Sequence, residues 1–196
     1  MALLGVILCG GKSTRMGTDK GLIKLHAGTW AQSAADKMNA LKLPAAISIN
    51  KEQLDTYSAF FSPSSLVIDK NTLEIHGPLC GLLSVHADHP DEDLMILGCD
   101  LPLMEVELLK ELLTHYNLQK DKDAFVFTTD GEPEPLCGIY KSSALQKIYL
   151  MAMNHQLPKH SMKYVLDHIN SHFTPVPADK KSCFRNFNAH AELNGL

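Results

Sequence analysis

The sequence lacks several features that would place the protein in a specialised class. It contains no apolar run long enough to span a membrane, and its first residues show no basic segment followed by a small-residue cleavage site. We therefore expect no membrane contact and no secretory signal. Internal repeats and low-complexity tracts are also missing, which argues against a repeat array or an extended linker.

The chain also lacks an excess of positive charge and a paired-cysteine motif. Its formal net charge of −4 gives no reason to expect a nucleic-acid partner. The 5 cysteines are odd in number and contain no C-x-x-C pair, so we expect reduced, mostly buried thiols in a cytoplasmic protein. With 196 residues and 45% hydrophobic content, the chain fits one domain over residues 1–196.

The most informative part of the sequence is the stretch 3–25. An apolar run, Leu3–Leu8, predicts a buried strand, and the pair Gly10-Gly11 follows almost at once. Four cations then accompany a single acid, Asp19; they are Lys12, Arg15, Lys20 and Lys24. Because the whole chain is acidic, this local cluster favours a phosphate ligand over a generally basic surface. The alternative is a surface loop with ordinary lysines.

Two common phosphate-binding motifs do not fit this stretch. Gly11-Lys12-Ser13 imitates the end of a P-loop, but the first glycine of that motif would have to stand where Val6 stands. The dinucleotide motif G-x-G-x-x-G also fails, because Lys12 occupies the position of its second glycine. A different phosphate loop is therefore predicted.

Segment 8–20, L-C-G-G-K-S-T-R-M-G-T-D-K, resembles the L-x-G-G-x-S-x-R-M-G-x-D-K signature of the molybdenum cofactor guanylyltransferase (MobA-like nucleotidyltransferase) family. Three later segments resemble the same family: Gly77–Leu82, Cys99–Pro102 and Asn186–Asn188. Two positions depart from it, since Cys9 replaces the commoner alanine and Ala189-His190 replace the usual Thr-Pro.

The hydrophobic pattern along the chain alternates strands with helices. It predicts strands at 3–8, 45–49, 66–68 and 94–98, with helices near 30–41, 78–87 and 108–116 between or after them. This order predicts a three-layer, Rossmann-like α/β domain with a largely parallel sheet. Strands at 124–128 and 136–140 predict a small antiparallel excursion, followed by helices at 142–152 and 161–169 and edge strands at 173–176 and 183–187. The resemblance implies the nucleotide-diphospho-sugar transferase type of this fold.

Polar residues follow several of the predicted strands, where open parallel sheets bind their ligands. Asn50 follows the second strand, with helix N-capping as its alternative role. Asp69 follows the third. Asp100 follows the most continuously apolar strand and suits a Mg²⁺ ion bound to phosphates, with helix capping again as the alternative.

The resemblance implies a reaction and a set of roles. GMP would pass from MgGTP to the terminal phosphate of molybdopterin, and pyrophosphate would leave. Arg15, Lys20 and Asp100 would be catalytic, with Asp100 holding Mg²⁺. The implied nucleotide-binding set is Leu8, Cys9, Gly10, Gly11, Lys20, Asn50, Asp69 and Asp100. The implied acceptor side, also a pair on one face of the predicted last strand, is Asn186 and Asn188.

The implied substrates are GTP and molybdopterin, with transient contacts to proteins that deliver or accept the cofactor. Two other functions stay open at this point. One is a related transferase on the same fold that uses CTP or a sugar-phosphate acceptor. The other is a non-catalytic carrier of a nucleotide or cofactor.

Overall fold

The computed structural model describes residues 2–10, 19–25 and 28–187. The strands of the described chain are β1 (Leu3–Leu8), β2 (Lys24–Leu25), β3 (Gly28–Thr29), β4 (Ala45–Ile49), β5 (Leu66–Ile68), β6 (Asp93–Gly98), β7 (Ala124–Thr129), β8 (Glu132–Tyr140) and β9 (Ser171–Pro175). Seven of them form one sheet in the order β5-β4-β1-β6-β8-β7-β9, and β2 and β3 pair as a small antiparallel ribbon.

The main sheet is largely parallel. β1 pairs in parallel with β4 and β6, and β4 pairs in parallel with β5. β8 runs antiparallel to both of its neighbours, β6 and β7, and the edge strand β9 is parallel to β7. The predicted parallel sheet and its antiparallel excursion are confirmed.

Helices cover both faces of the sheet. They are α1 (Trp30–Ala40), α2 (Leu54–Tyr57), α3 (Pro78–Asp88), α4 (Val106–Leu118), α5 (Ser142–Met153) and α6 (Met162–Asp167). One apolar core packs α3, α5 and α6 against the sheet, and a second packs α1 and α4 against the opposite face. The two cores separate three layers, as the alternating pattern predicts.

The parallel strands meet at one edge. Leu8, the last residue of β1, is in register with Ser48 of β4 and Gly98 of β6. The ends of β1, β4, β5 and β6 therefore form one continuous border, which we call the carboxyl edge. Both faces of β1 and β6 are almost entirely buried, which explains why their sequences are nearly continuously apolar.

The predicted edge strand at 183–187 is wrong. A 3-10 helix spans Ala178–Phe184, and the chain beyond it is irregular. Phe184 packs on Phe127 with ring centroids 5.3 Å apart, and Phe187 packs on Trp30 at 5.9 Å. The two buried rings are three residues apart, which does not match the period of two that a strand would give. Asn186 therefore lies outside any strand, and residues 188–196, including the predicted last helical turn, lie outside the described residues.

All five cysteines are buried and none forms a disulfide, and their burial agrees with the prediction. No helix in the described part of the chain combines the length and apolar character needed to cross a membrane.

Candidate active site

The carboxyl edge collects side chains from four strands that are distant in sequence. Cys9 follows β1, Asn50 follows β4, Asp69 follows β5, and the tight turn at 99–100 places Asp100 after β6. Because the order β5-β4-β1-β6 makes these strands neighbours, their ends border one crevice.

Asp100 faces a cation. Its Oδ2 lies 4.0 Å from Lys20 Nζ, and the two side chains are only 19% and 21% exposed. Burial raises the pKa of the Asp100 carboxyl, and the Lys20 charge opposes that rise. The helix-capping alternative for Asp100 is wrong, because α4 starts at Val106 with Glu105 as its N-terminal flanking residue.

Asn186 also contacts Asp100. The amide is oriented with its nitrogen toward the acid, since its oxygen there would face only acceptors. In this orientation Asn186 Nδ2 donates to Asp100 Oδ2 at 2.7 Å. The chain's last described segment thereby returns to the carboxyl edge and supplies a neutral donor to the same carboxylate that Lys20 faces.

Asp69 is closely surrounded by residues of the carboxyl edge. Ser48 Oγ donates to Asp69 Oδ1 at 3.2 Å. An ideal Cβ at Gly10 would stand 2.9 Å from Asp69 Oδ2, and one at Gly81 would collide with Ser48 Oγ. Both glycines therefore leave room for this hydroxyl–carboxyl pair. Burial raises the pKa of Asp69 to about 6, although the Ser48 hydrogen bond lowers it.

The Asn50 side chain hydrogen-bonds to the backbone three residues further along the chain. Its Oδ1 accepts from the Gln53 N–H at 3.1 Å, and the Gln53 side chain accepts from the Asn50 N–H at 2.8 Å. This is a capping box on the 3-10 helix Lys51–Gln53. The capping alternative for Asn50 is confirmed.

Backbone groups at the end of β1 are largely hydrogen-bonded inside the protein. The N–H groups of Cys9 and Gly10 both donate to the Ser48 carbonyl, at 2.9 and 3.1 Å. The Leu8 carbonyl accepts from the Cys99 N–H at 3.2 Å. Each carbonyl has a second lone pair, so this segment is better suited to accept hydrogen bonds from a ligand than to donate them.

Lys20 is held by the residue before it. Asp19 caps the 3-10 helix Lys20–Leu22, and its Oδ1 accepts from the Gly21 N–H at 2.9 Å. Tyr57, which is fully buried in α2, donates its hydroxyl to the same oxygen at 2.9 Å. The cation therefore projects from a backbone that is anchored on the neighbouring helix.

Three candidate residues, Gly11, Arg15 and Asn188, lie outside the described residues. Of the others, Asp100, Lys20 and Asn186 form one cluster, and Asp69 lies on the β5 side with Gly10. No local sequence pattern indicates Ser48, which is a buried polar residue within an apolar strand. Gln53 had one available signal, namely its place three residues after an N-capping Asn50.

The site chemistry fits a divalent cation that is shared with a substrate. No group of three or more metal-ligating side chains occurs among the described residues, so they form no complete protein cage. Asp100 nevertheless offers a partly accessible carboxylate. Mg²⁺ is commonly bound by one or two carboxylates, with substrate phosphates and water completing its octahedron.

An open α/β sheet with a cation and a carboxylate at its carboxyl edge defines the class of nucleotide-binding α/β proteins. The MobA-like NTP transferase domain model matches residues 5–171. The chain belongs to the MobA-like NTP transferase family, as its N-terminal motif predicts.

Individual relatives agree with this assignment. A probable molybdenum cofactor guanylyltransferase of Flavobacterium johnsoniae is 27% identical, covering 97% of this chain and 94% of that protein. A molybdenum cofactor guanylyltransferase of Campylobacter jejuni is 32% identical, covering 72% of this chain and 70% of that protein. The crystal structure of molybdopterin-guanine dinucleotide biosynthesis protein A from Archaeoglobus fulgidus has a TM-score of 0.78 at 19% identity, covering 97% of this chain and 94% of that one. The predicted fold class is confirmed.

Proposed function

We propose that the protein transfers GMP from MgGTP to the terminal phosphate of molybdopterin and releases pyrophosphate. The observation that carries this proposal is the meeting of Lys20 and Asp100 at the carboxyl edge, with Nζ and Oδ2 4.0 Å apart. A carrier has no need of a partly buried cation–carboxylate pair at this edge. A transferase needs both, because charge shifts onto the leaving pyrophosphate.

The reaction requires that the two substrates are positioned and that the charge on their phosphates is neutralised. The attacking phosphate of the pterin is already anionic, so it needs no general base. Lys20 neutralises the triphosphate and then the leaving pyrophosphate, while Asp100 holds the Mg²⁺ and Asn186 fixes the orientation of that carboxylate. Mg²⁺, when bound, supplies further neutralisation of the phosphate oxygens.

Asp69 is proposed to read the base. Guanine presents two adjacent N–H donors on its pairing edge, which match the two oxygens of a carboxylate. Adenine and cytosine each present an acceptor nitrogen beside their amine, and that nitrogen would face Asp69 unpaired. A partly buried acceptor that goes unpaired discriminates strongly against the wrong ligand. Asp69 with its Ser48 partner therefore favours GTP over CTP and ATP.

The remaining assignments rest on the resemblance. They are contacts of Arg15 and Lys20 with the phosphates, of the segment 8–11 and Asn50 with the nucleoside, and of Asn186 and Asn188 with the acceptor. We place these functions in one domain over residues 1–196, in the cytoplasm, where five free buried thiols would stay reduced. Neither nucleic acid nor membrane is a proposed partner, whereas proteins that deliver or accept the cofactor are.

Pyrophosphate release tests the proposal. Purified protein with Mg²⁺ and molybdopterin is supplied in turn with GTP, CTP and ATP. We expect release with GTP and little with the other two. Turnover with CTP instead would support the related cytidylyltransferase, and nucleotide binding without any release would support a carrier.

A further inference from the structure

A single buried amide joins the two ends of the stretch that leads from β1 to Lys20. Gln53 is only 8% exposed. Its Nε2 donates to the Cys9 carbonyl at 3.0 Å and also to Asp19 Oδ2. Cys9 directly follows β1, and Asp19 directly precedes Lys20. We call these two hydrogen bonds the Gln53 bridge.

The amide is held in place from its other side. Gln53 Oε1 accepts from the Asn50 N–H at 2.8 Å, and the Gln53 N–H donates to Asn50 Oδ1 at 3.1 Å. With one acceptor and two donors used, the amide orientation is fixed by its partners and cannot flip without losing all three side-chain bonds. The bridge is therefore rigid with respect to the end of β4.

Asp19 connects the Gln53 bridge to Lys20, the residue that follows it in the chain. Its Oδ2 accepts from Gln53, while its Oδ1 accepts from Tyr57 and from the Gly21 N–H. Burial raises the pKa of the Tyr57 phenol well above its usual range, so this hydroxyl stays a donor. The carboxylate thus accepts three hydrogen bonds, from α2, from the 3-10 helix Lys51–Gln53 and from its own turn.

We infer that Gln53 is a positioning residue for the transfer reaction, which sets the place of Lys20 opposite Asp100 by fixing Asp19. This inference rests on the proposed function. The three hydrogen bonds of the Gln53 side chain go to Asn50, Cys9 and Asp19, and not to Lys20 or Asp100. Its effect on catalysis passes through the Asp19–Lys20 peptide.

The chain offers a matched control. Gln32 occupies the same capping-box position in α1, where its Oε1 accepts from the Thr29 N–H at 2.9 Å. Glutamate at either position keeps the accepting oxygen and so preserves the cap. At position 53 the new carboxylate replaces the NH₂ group of the Gln53 bridge. Its oxygen then faces two other acceptors, the Asp19 carboxylate and the Cys9 carbonyl.

The first measurement needs no nucleotide. Amide hydrogen exchange of the peptide 19–25 is followed in the wild type, Gln53→Glu and Gln32→Glu proteins, with melting temperatures as a check of folding. We expect faster exchange of this peptide in Gln53→Glu only, because the Gly21 N–H loses a fixed acceptor. Exchange at the wild-type rate would overturn the inference. If Gln53→Glu does not fold, Gln53→Met and Gln32→Met replace the pair.

The second measurement is kinetic. Gln53→Glu should lower kcat/KM for pyrophosphate release by about 10- to 100-fold, the scale of a displaced catalytic group, while Gln32→Glu stays within about twofold. In the Lys20→Ala background, Gln53→Glu should cost less than about twofold, because residues that act through one another are not additive. A full additional loss there would assign Gln53 a structural role only and overturn the inference. If the wild type releases no pyrophosphate from any nucleotide, the proposed function fails, whereas the exchange result still decides the bridge.

Discussion

Asn186 Nδ2 lies 2.7 Å from Asp100 Oδ2, although the two residues are 86 positions apart in the sequence. Asp100 follows β6 in the centre of the sheet, and Asn186 lies in the irregular segment after the last 3-10 helix. The same carboxylate also faces Lys20 at 4.0 Å. Three segments therefore converge on one acid, which is the expected focus of the proposed catalysis.

Asn186→Ala should weaken Mg²⁺ binding rather than the stability of the fold. The carboxylate loses a donor that orients it, and loss of such an outer partner typically costs about 10- to 100-fold in metal affinity or activity. We expect the Mg²⁺ concentration for half-maximal pyrophosphate release to rise accordingly. Asn39→Ala, at an exposed position of α1, serves as the control. An unchanged Mg²⁺ requirement would show that Asn186 does not support Asp100.

Asp100→Asn keeps the shape of the side chain but removes its charge. We expect a folded protein whose turnover falls by roughly 10³-fold, comparable to the larger electrostatic losses in such sites. Residual activity should require much more Mg²⁺. The check is Mg²⁺-dependent pyrophosphate release by both proteins, with circular dichroism as the folding control. A variant with the same Mg²⁺ profile as the wild type would rule out Asp100 as the metal ligand.

Lys20→Ala removes the cation opposite Asp100. We expect kcat/KM for GTP to fall by about 10²-fold or more, the scale of one preorganised charged group. The matched control is Lys147→Ala, at an exposed position of α5. Steady-state pyrophosphate release measures both variants. Equal, small effects at positions 20 and 147 would mean that Lys20 is an ordinary surface lysine.

Asp69 should make nucleotide use dependent on pH. Its pKa of about 6 means that the carboxyl takes up a proton as the solution becomes mildly acidic. A protonated carboxyl can no longer accept from both guanine donors, so kcat/KM for GTP should fall below about pH 6. The Asp69→Asn protein should have a low kcat/KM for GTP at every pH and show no such inflection. The same inflection in both proteins would assign it to another group.

The same carboxyl should lower stability at neutral pH. Its pKa in the folded protein is raised above the ordinary value of 3.8, so its stabilising contribution is present at low pH and is lost as the pH rises through about 6. Asp69→Asn should therefore melt at a higher temperature than the wild type at pH 7.5, with a smaller gain at pH 4.5. A variant that is less stable at pH 7.5 would show that the ionised carboxylate helps to hold the fold.

Much of the fold could be read from local patterns. The apolar runs at Leu3–Leu8 and at 94–98 are strands because both faces of a parallel sheet are buried, and the helical stripes between them require crossovers. The position of Asp100 was also predictable, because it follows β6 closely and its placement depends only on the order of elements. The prediction at 183–187 failed, because burial of Phe184 and Phe187 depends on partners in β7 and α1 that leave no mark in the local sequence.

The sequence by itself determined the layered architecture, the family motif and the residues that stand at strand ends, because periodicity and short spacing act within a few residues along the chain. Only the tertiary structure decided which of those residues meet. It turned the Asn50 side chain into a cap, paired Ser48 with Asp69, brought Asn186 to Asp100, and put the Gln53 amide between Cys9 and Asp19. These contacts depend on the direction of individual hydrogen-bonding groups in a packed interior, where donors and acceptors from distant segments must satisfy one another.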